Sequence, residues 1–562
     1  MKTKYFIPLL AVAASACLSS CSDFLTEQPK GQLTPNGFFE SQTALNSALN
    51  ALYYNVQQSQ CNSNPAIVQC QGDDITSTTG SNKAAYLSAD AFEVPSDAKG
   101  LQFLWRWQYN IIQAANLIID NAPTMTEVTS QENINIALGN AYFWRAYSYF
   151  NLVRVFGPLP INLHNEPDNN TTPLTSVAEV YDLIVADLQQ AENCHLPAKY
   201  TATNQVMGDM NIYISEQAVK SLLAAVYMNM AGFPLNRTEY YGTAADKAKE
   251  VVDGVNSGRY PNGLCADWAD VYSYGNNFSK EAIVGITFHM QIGGWSNYDS
   301  QMSSCHQLGS LSGWGDFLAE RHYWSQYPEG PRKDYVYAQK LRTTSGACVD
   351  WWATTDGAPY NGSNAVVSEY RPMFVGFTVN TGEGGAPAEA PYDYTAPFWD
   401  GMCVGKTHQI IRYSEVICWF AEASARSGKY ASEAAAELQK VQARAYNELP
   451  ANTDLAEAAV REHGYEVAGM PFALVTRRAD EFRLNTLKEA YDYRRGPQDA
   501  VLVPAGTLTQ SIDADGNPFT YTTTEDLRLA ENMPVTVAWE GDNSIYQIYP
   551  PMETEKNPNL KR

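Results

Sequence analysis

Apolar residues recur at helical spacing over much of the chain. Leu45, Ala48, Leu49 and Leu52 stand at i, i+3, i+4 and i+7 behind Ser41, which predicts a helix opening there with one buried face. A second helix is expected over 101–120. A third is expected over 140–156, with Phe143, Ala146, Tyr147, Phe150 and Val153 on one stripe and Gly157-Pro158 as its stop. Ser176-Val-Ala-Glu179 has the form of a capping box and opens a helix carrying Tyr181, Ile184, Val185 and Leu188. Further helices are predicted over 216–230, 244–257, 413–427 (ending at Gly428) and 431–447, the last with Ala434, Leu438, Val441 and Ala445 on one face.

These are helix pairs joined by short turns. The predicted fold is therefore mostly α, a tetratricopeptide-like stack of helix pairs, although no strict consensus repeat is visible. Between the helical blocks the pattern changes. Residues 259–410 are rich in Gly, Ser, Asn, Tyr and Trp with little helical periodicity, and the Gly/Ala/Pro/Glu stretch 376–391 reads as loop. The expected organisation is a leader over 1–20, a tether over 21–40, a helical region over 41–258, a loop-rich insertion over 259–410 that offers a candidate ligand surface, and a C-terminal region over 411–562.

The first residues change the expected compartment. Lys2 and Lys4 precede an apolar stretch over 5–16 that is too short to span a bilayer, the signature of a signal peptide. It ends in Leu18-Ser-Ser-Cys21, the bacterial lipobox pattern, with Cys21 as the acylated first residue of the mature chain. Buried acyl chains contribute about 0.8 kcal/mol per methylene to membrane attachment. The formal net charge is −23, more negative still without Lys2 and Lys4, and such a field repels phosphate backbones, so nucleic acid is excluded as a partner. The remaining mature cysteines (Cys61, Cys70, Cys194, Cys265, Cys305, Cys348, Cys403 and Cys418) form no C-x-x-C pair. Cys61 and Cys70 are one pair able to bridge, and Cys418 reads as a buried thiol.

Catalytic signatures are missing. There is no Gly-rich phosphate loop, no H-E-x-x-H and no G-x-S-x-G, and the seven histidines form no cluster at metal spacing. His463, within Arg461-Glu-His-Gly464, reads as an isolated surface residue. The stretch 270–281 places Gly275 and Glu281 where a helix-loop-helix calcium site wants them, but Tyr272 and Tyr274 occupy ligand positions, so the match reads as chance. No cofactor is expected; bound calcium elsewhere stays open.

Several segments, in order and nearly end to end, resemble the SusD/RagB family of outer-membrane lipoproteins. They are the opening Cys21-Ser-Asp-Phe-Leu-Thr-Glu-Gln-Pro29, the run Arg145-Ala-Tyr-Ser-Tyr-Phe-Asn-Leu-Val-Arg-Val-Phe-Gly-Pro-Leu-Pro160, and Val180-Tyr-Asp-Leu-Ile-Val-Ala-Asp-Leu188. Arg412-Tyr413 with Ala421-Glu-Ala423, the charged motif Arg477-Arg-Ala-Asp-Glu-Phe482 with Asp492-Tyr-Arg-Arg495, and the closing Ile548-Tyr-Pro-Pro-Met-Glu553 and Asn557-Pro-Asn-Leu560 continue the series. The charged motif departs from the family pattern at Arg477, Asn485 and Thr486 and is taken as structural. The resemblance implies a helical scaffold of four tetratricopeptide-like pairs. It also implies a place on the outer face of the outer membrane of a Bacteroidetes-type bacterium, and a SusC-like TonB-dependent transporter as partner. The activity it implies is non-catalytic capture of oligosaccharide and delivery to that transporter. The alternatives are a peptide- or other nutrient-binding lid on the same transporter, or a surface glycoside hydrolase.

The resemblance directs attention to the early loop and the insertion. Sugar rings lay their C–H faces on aromatic rings and hydrogen-bond their hydroxyls to polar neighbours. Gly293-Gly-Trp295-Ser-Asn297-Tyr298 puts a Trp on an open turn with Asn and Tyr beside it; Trp314 between two glycines, and the pair Trp351 and Trp352, are further platforms. Asp73 and Asp74 in the early loop are candidate acceptors for sugar hydroxyls, whereas adjacent carboxylates suit glycosidase chemistry poorly. Trp105, Trp107, Trp144, Trp268 and Trp419 are assigned to packing.

Overall fold

A computed structural model describes residues 38–77, 83–165, 171–273, 277–288, 315–338, 340–343, 345–367, 369–374, 399–400, 403–495, 501–529 and 535–561. Seven helices form a continuous stack in which each packs on the next: α1 Gln42–Gln58, α2 Lys99–Asn121, α3 Gln131–Phe156, α4 Val177–Asn193, α5 Glu216–Ala231, α6 Tyr240–Asn256 and α7 Tyr413–Ser427. α8 Ala431–Ala443 and α9 Leu455–Glu466 pack on α7, and α10 Arg477–Arg483 and α11 Leu487–Arg495 follow. The helical, tetratricopeptide-like scaffold expected from the spacing is present.

Local chemistry sets the ends. The Ser41 hydroxyl accepts from the Ala44 amide at the start of α1, and Ser176 with Glu179 forms both halves of the capping box at α4. α7 ends where Gly428 enters the left-handed region at φ 76°, a turn that lets α8 begin three residues later. Three boundaries differ from expectation by four residues or more, one of them the start of α6, at Tyr240 rather than 244. α3 opens at Ser130, whose hydroxyl accepts from the Asn133 amide; the polar run 131–135 masks its apolar stripe, though Ile134 and Ala137 are buried. α8 stops at Ala443 rather than running to 447, and Arg444 just beyond it pairs with Glu281. α3 is the central element: Phe143, Trp144, Tyr149, Phe150 and Phe156 are each fully buried.

The insertion is tied off at its base. Strand β1, Ala282–Ile286, pairs antiparallel with β2, His408–Arg412, and every residue of both is buried. Above it, Leu318, Leu341, Val349, Trp351 and Met373 form a satellite core with Leu502 and Val503. The C-terminal region thus divides. Its helices join the stack, while 501–529, including the hairpin of β3 (Leu508–Ile512) and β4 (Pro518–Thr522), docks on the insertion: the Asp350 amide donates to Gln510 O at 3.1 Å and the Gln510 amide to Asp350 Oδ2 at 2.7 Å. Cys70 is a buried free thiol, so no Cys61–Cys70 bridge forms; Cys418 is buried and free, as expected.

Stack and insertion meet at a buried charge network. Glu466, at the end of α9, accepts from Arg332 at 2.8 Å, Arg412 at 2.7 Å, Trp268 Nε1 at 3.1 Å and Ser414 Oγ at 2.9 Å, with Arg444 3.4 Å away. Burial alone would raise its pKa, but Arg412, Arg444 and Arg332 outweigh burial and hold it well below the usual carboxylate range. Arg332 also pairs with Glu462, and Arg444 with Glu281. His463, one turn earlier on α9, is not a surface residue. It is 1% exposed and bonded to Asp480, whose other oxygen accepts from Arg483 at 2.7 Å; Arg483 in turn reaches Glu422 at 2.7 Å. Its partners lie on other helices, which is why its sequence neighbours gave no sign of them.

Two predictions follow from the network. Glu466→Ala removes the carboxylate shared by three buried guanidiniums, leaving Arg332 to Glu462, Arg444 to Glu281 and Arg412 with carboxylates only at 3.6 Å, and should lower stability by about 3–5 kcal/mol in denaturant unfolding; a loss below about 1 kcal/mol would contradict the central role given to Glu466. Burial lowers the His463 pKa, but Asp480, by charge and hydrogen bond, and then Glu415 raise it from 6.5 to about 9. A raised histidine stabilises fully below its unfolded value and loses that contribution as pH rises through its folded value. The stability margin of the native chain over His463→Gln should therefore be largest below pH 6.5 and shrink toward pH 9; a margin flat over that window would count against the assignment.

Candidate functional site

A concavity built from aromatic side chains lies where the insertion meets the C-terminal hairpin. Its floor begins with the adjacent tryptophans. Both lie in the turn that follows strand Cys348–Val349, closed by the Ala353 amide donating to Asp350 O at 3.0 Å, and they meet different surroundings. Trp351 points inward and is 1% exposed, edge-on to Trp324 with ring centroids 5.1 Å apart. Trp352 points outward, half-buried, and its Nε1 donates to Thr509 Oγ1 on β3 at 2.9 Å. That bond fixes the ring against the hairpin.

Three tyrosines complete the cleft. Tyr370 donates its hydroxyl to Trp352 O at 2.6 Å, and Tyr360 stacks on the Tyr370 ring with centroids 4.0 Å apart and planes 17° from parallel. Tyr370 is buried while Tyr360 is 37% exposed, so the pair offers one ring to solvent on a rigid backing. Tyr521 on β4 forms the facing wall; its hydroxyl accepts from the Thr354 amide and from Thr354 Oγ1, each at 3.2 Å. Gly357 lies against that ring: its φ is 69°, and a Cβ there would stand 3.1 Å from Tyr521 Cγ. A side chain at 357 would strain the turn and push the wall.

The cleft has a volume of about 260 Å³ and is edged by Thr523, Glu525, Asp526 and Arg528. Asp526 accepts from the Ala505 amide at 3.0 Å and faces Arg528 at 3.6 Å. Flat apolar faces beside exposed acceptors and one forked donor suit a ligand with apolar C–H faces and many hydroxyls. Neither histidine nor cysteine lines it.

The other residues singled out in the sequence fare differently. Trp351 is a core residue and not a platform. Asp74 is 2% exposed; its carboxylate accepts from the Gly469 amide at 2.8 Å, and burial, with the charge of Asp73, pushes its pKa up to about 7. Asp73 is half-buried and engaged by both arms of Arg477 at 2.7 and 2.8 Å. The two carboxylates join the early loop to the C-terminal helices: Asp74 is buried away from any surface ligand, and Asp73, expected as a sugar acceptor, is engaged by Arg477. Trp295, Asn297, Tyr298, Trp314 and Cys21 lie outside the described residues. Trp105, Trp144, Trp268 and Trp419 are buried, and Trp107 is partly so. Among the described residues no group of three or more His, Cys, Asp or Glu side chains is placed to hold a metal ion, and no helix is long and apolar enough to cross a membrane.

Sequence reasoning missed Tyr360, Tyr370 and Tyr521. A signal existed for the first: Gly357-Ala-Pro-Tyr360-Asn-Gly362 sets an aromatic on a glycine-flanked turn, the feature that drew attention to Trp295. Tyr521 joins the site only through the pairing of the hairpin with 350–354, which local sequence does not announce.

Comparison with known proteins bears on what kind of molecule carries this cleft. A SusD-like family model, described as starch-binding and associating with the outer membrane, matches residues 23–228. A SusD-like protein of Bacteroides ovatus is 26% identical over 345 residues, 58% of this chain and 58% of the relative, so the chain spans less than two thirds of that relative's length. Among solved structures, surface glycan-binding protein A from Bacteroides uniformis superposes with a TM-score of 0.66 at 17% identity, over 93% of this chain and 99% of the other. A structure solved with a xylogluco-oligosaccharide superposes with a TM-score of 0.64 at 18% identity, over 92% and 98%. At these identities the structural likeness establishes the fold alone. This chain is thus similar to SusD-like proteins: to the family model over its first helices, to the curated relative in sequence, and to the solved structures in fold over nearly its whole length.

Proposed function

We propose that this chain is a non-catalytic, cell-surface glycan-binding lipoprotein that captures oligosaccharide and delivers it to a SusC-like TonB-dependent transporter of the outer membrane. The observation that carries the reading is the cleft of Trp352, Tyr360, Tyr370 and Tyr521. It presents aromatic faces already locked by hydrogen bonds and stacking, so little side-chain freedom is lost on binding. Two relatives of the same fold support the ligand class by what they bind: one is named for surface glycan, the other holds a xylogluco-oligosaccharide. The anionic surface and the exposed Glu525 and Asp526 favour a neutral glycan over an acidic one. The turn carrying Trp295, Asn297 and Tyr298, with Trp314, is proposed as a second contact along an extended chain. Acylation of Cys21 is proposed to hold the protein at the membrane, where weak contacts suffice because the anchor and the transporter raise the local concentration.

Two measurements test this. Isothermal titration of the unacylated chain against neutral oligosaccharides, xyloglucan-derived and β-glucan-derived among them, should reveal binding that weakens roughly tenfold in Tyr360→Ala, the loss of about 1.4 kcal/mol of stacking. Tyr360 is exposed and outside the core clusters, so the variant should keep the native melting temperature. Unchanged affinity in both Tyr360→Ala and Trp352→Ala would remove the cleft from the site; binding of peptides and of no glycan would overturn the ligand class. In cells, Cys21→Ser should move the protein from the membrane fraction to the soluble fraction, and retention in the membrane would exclude Cys21 as the anchor.

A further inference from the structure

Two arginines are buried together at the seam between the helical stack and the C-terminal segment. Arg154, near the end of α3, is 5% exposed, and Arg478, in α10, is 2% exposed. Arg478 donates to Arg154 O at 3.3 Å, which brings the two residues into contact. Among the described residues neither makes an ion pair. Arg478 is otherwise bonded to neutral acceptors, Gln71 Oε1 and Ile545 O. Arg154 donates Nε to Phe150 O at 3.0 Å and Nη2 to Asn151 Oδ1 at 2.7 Å, and its plane covers the Phe150 ring. Its Nη1 is buried with no hydrogen-bond partner.

The carboxylates nearby are committed elsewhere. Asp480 serves His463 and Arg483. Glu481 is biased toward its neutral form by burial and by the charge of Asp73. Burial pushes both guanidiniums down to about 10, and at Arg478 the charge of Arg154 adds to it. A buried cation in this position is costly without a counter-charge.

Both arginines line a small cavity of about 60 Å³, together with Gln60, Gln69, Gln108 and Tyr147. That is room for a few water-sized groups and far too little for a sugar ring. Gln60 and Gln108 each carry a buried Oε1 with no partner. A half-turn of either amide presents N–H to the cavity instead of C=O, and at Gln60 the Tyr147 hydroxyl, which accepts from Nε2 at 3.0 Å, can donate to the inverted Oε1 instead. The cavity thus combines an unpartnered buried N–H, a second guanidinium and two invertible amides, with no carboxylate in its lining.

We propose that this cavity binds one small monovalent inorganic anion of chloride size, held by Arg154 Nη1 on α3 and the inverted amides of Gln60, just past α1, and Gln108 on α2. The overall charge of −23 does not forbid this, since surface charges beyond about 8–10 Å are screened while the two guanidiniums act at contact distance in a dry site.

The test is thermal unfolding of the intact chain at fixed ionic strength, with chloride exchanged against gluconate, alongside diffraction from crystals grown in sodium bromide. The melting temperature should rise by about 1 °C for each tenfold increase in chloride above its dissociation constant. Bromide should reproduce the rise and give an anomalous peak within hydrogen-bond reach of Arg154 Nη1. Arg154→Met should abolish the chloride dependence, and without chloride it should melt no lower than the native chain, because it removes an uncompensated buried charge. Water alone at that position in bromide crystals, or a chloride dependence unchanged in Arg154→Met, overturns the proposal. If Arg154→Met does not fold, the bromide crystals of the native chain decide by themselves.

Discussion

The structure depends on one carboxylate. Glu466 is fully buried, and the arginines it serves come from three separate places: Arg332 from within the insertion, Arg412 from the strand that leads into α7, and Arg444 from just beyond α8. Buried ion pairs contribute little to net stability, because desolvating each charge offsets most of the Coulomb gain. What they enforce is arrangement. With Glu466 in place, each guanidinium has one position in which its charge is compensated, and the insertion, the base strand and the C-terminal helices must meet there. Apolar packing alone would allow them to slide.

That arrangement is what makes the aromatic cleft usable. The insertion leaves the scaffold at β1 and returns at β2, two fully buried strands paired with each other, so its base is a single fixed stem next to the charge network. From that stem the chain builds a satellite core with 501–529, and the cleft stands on this core rather than on the helices. Its tyrosines are held by side-chain bonds to the same two segments. A ligand surface carried on irregular backbone stays in shape here because three layers of contacts, network, paired stem and satellite core, lie beneath it.

Much of the scaffold was legible in the sequence because its information is local. The stripe behind Ser41, the capping box at Ser176 and the Gly428 stop each specify an element within a few residues, and the helices lie where those signals put them. The start of α3 was not legible, since a polar run covers it and only the cap marks it. The site was legible in kind but not in its members. Trp351 and Trp352 are equivalent in sequence, and only the turn at 350–353 and its contacts with Trp324 and Thr509 assign one to the core and the other to the cleft. Asp73 and Asp74 read as free acceptors because Arg477 and Gly469 are some 400 residues away, and His463 read as exposed because Asp480 and Glu415 lie on other helices. Long-range electrostatic partners leave no periodicity to read.

The distribution of cations completes the picture. The chain is strongly anionic, yet Arg145, Arg332, Arg412, Arg483 and Arg494 are nearly inaccessible, each facing a carboxylate. Arginine suits that duty: it stays protonated when desolvated, and its fork satisfies two or three acceptors at once. Using cations to hold the interior leaves the surface to Asp and Glu. The field around the protein then discourages acidic polymers within its screening length. Among the described residues Arg154 and Arg478 depart from that pattern: they form a buried pair without a carboxylate partner, and a cavity adjoins them.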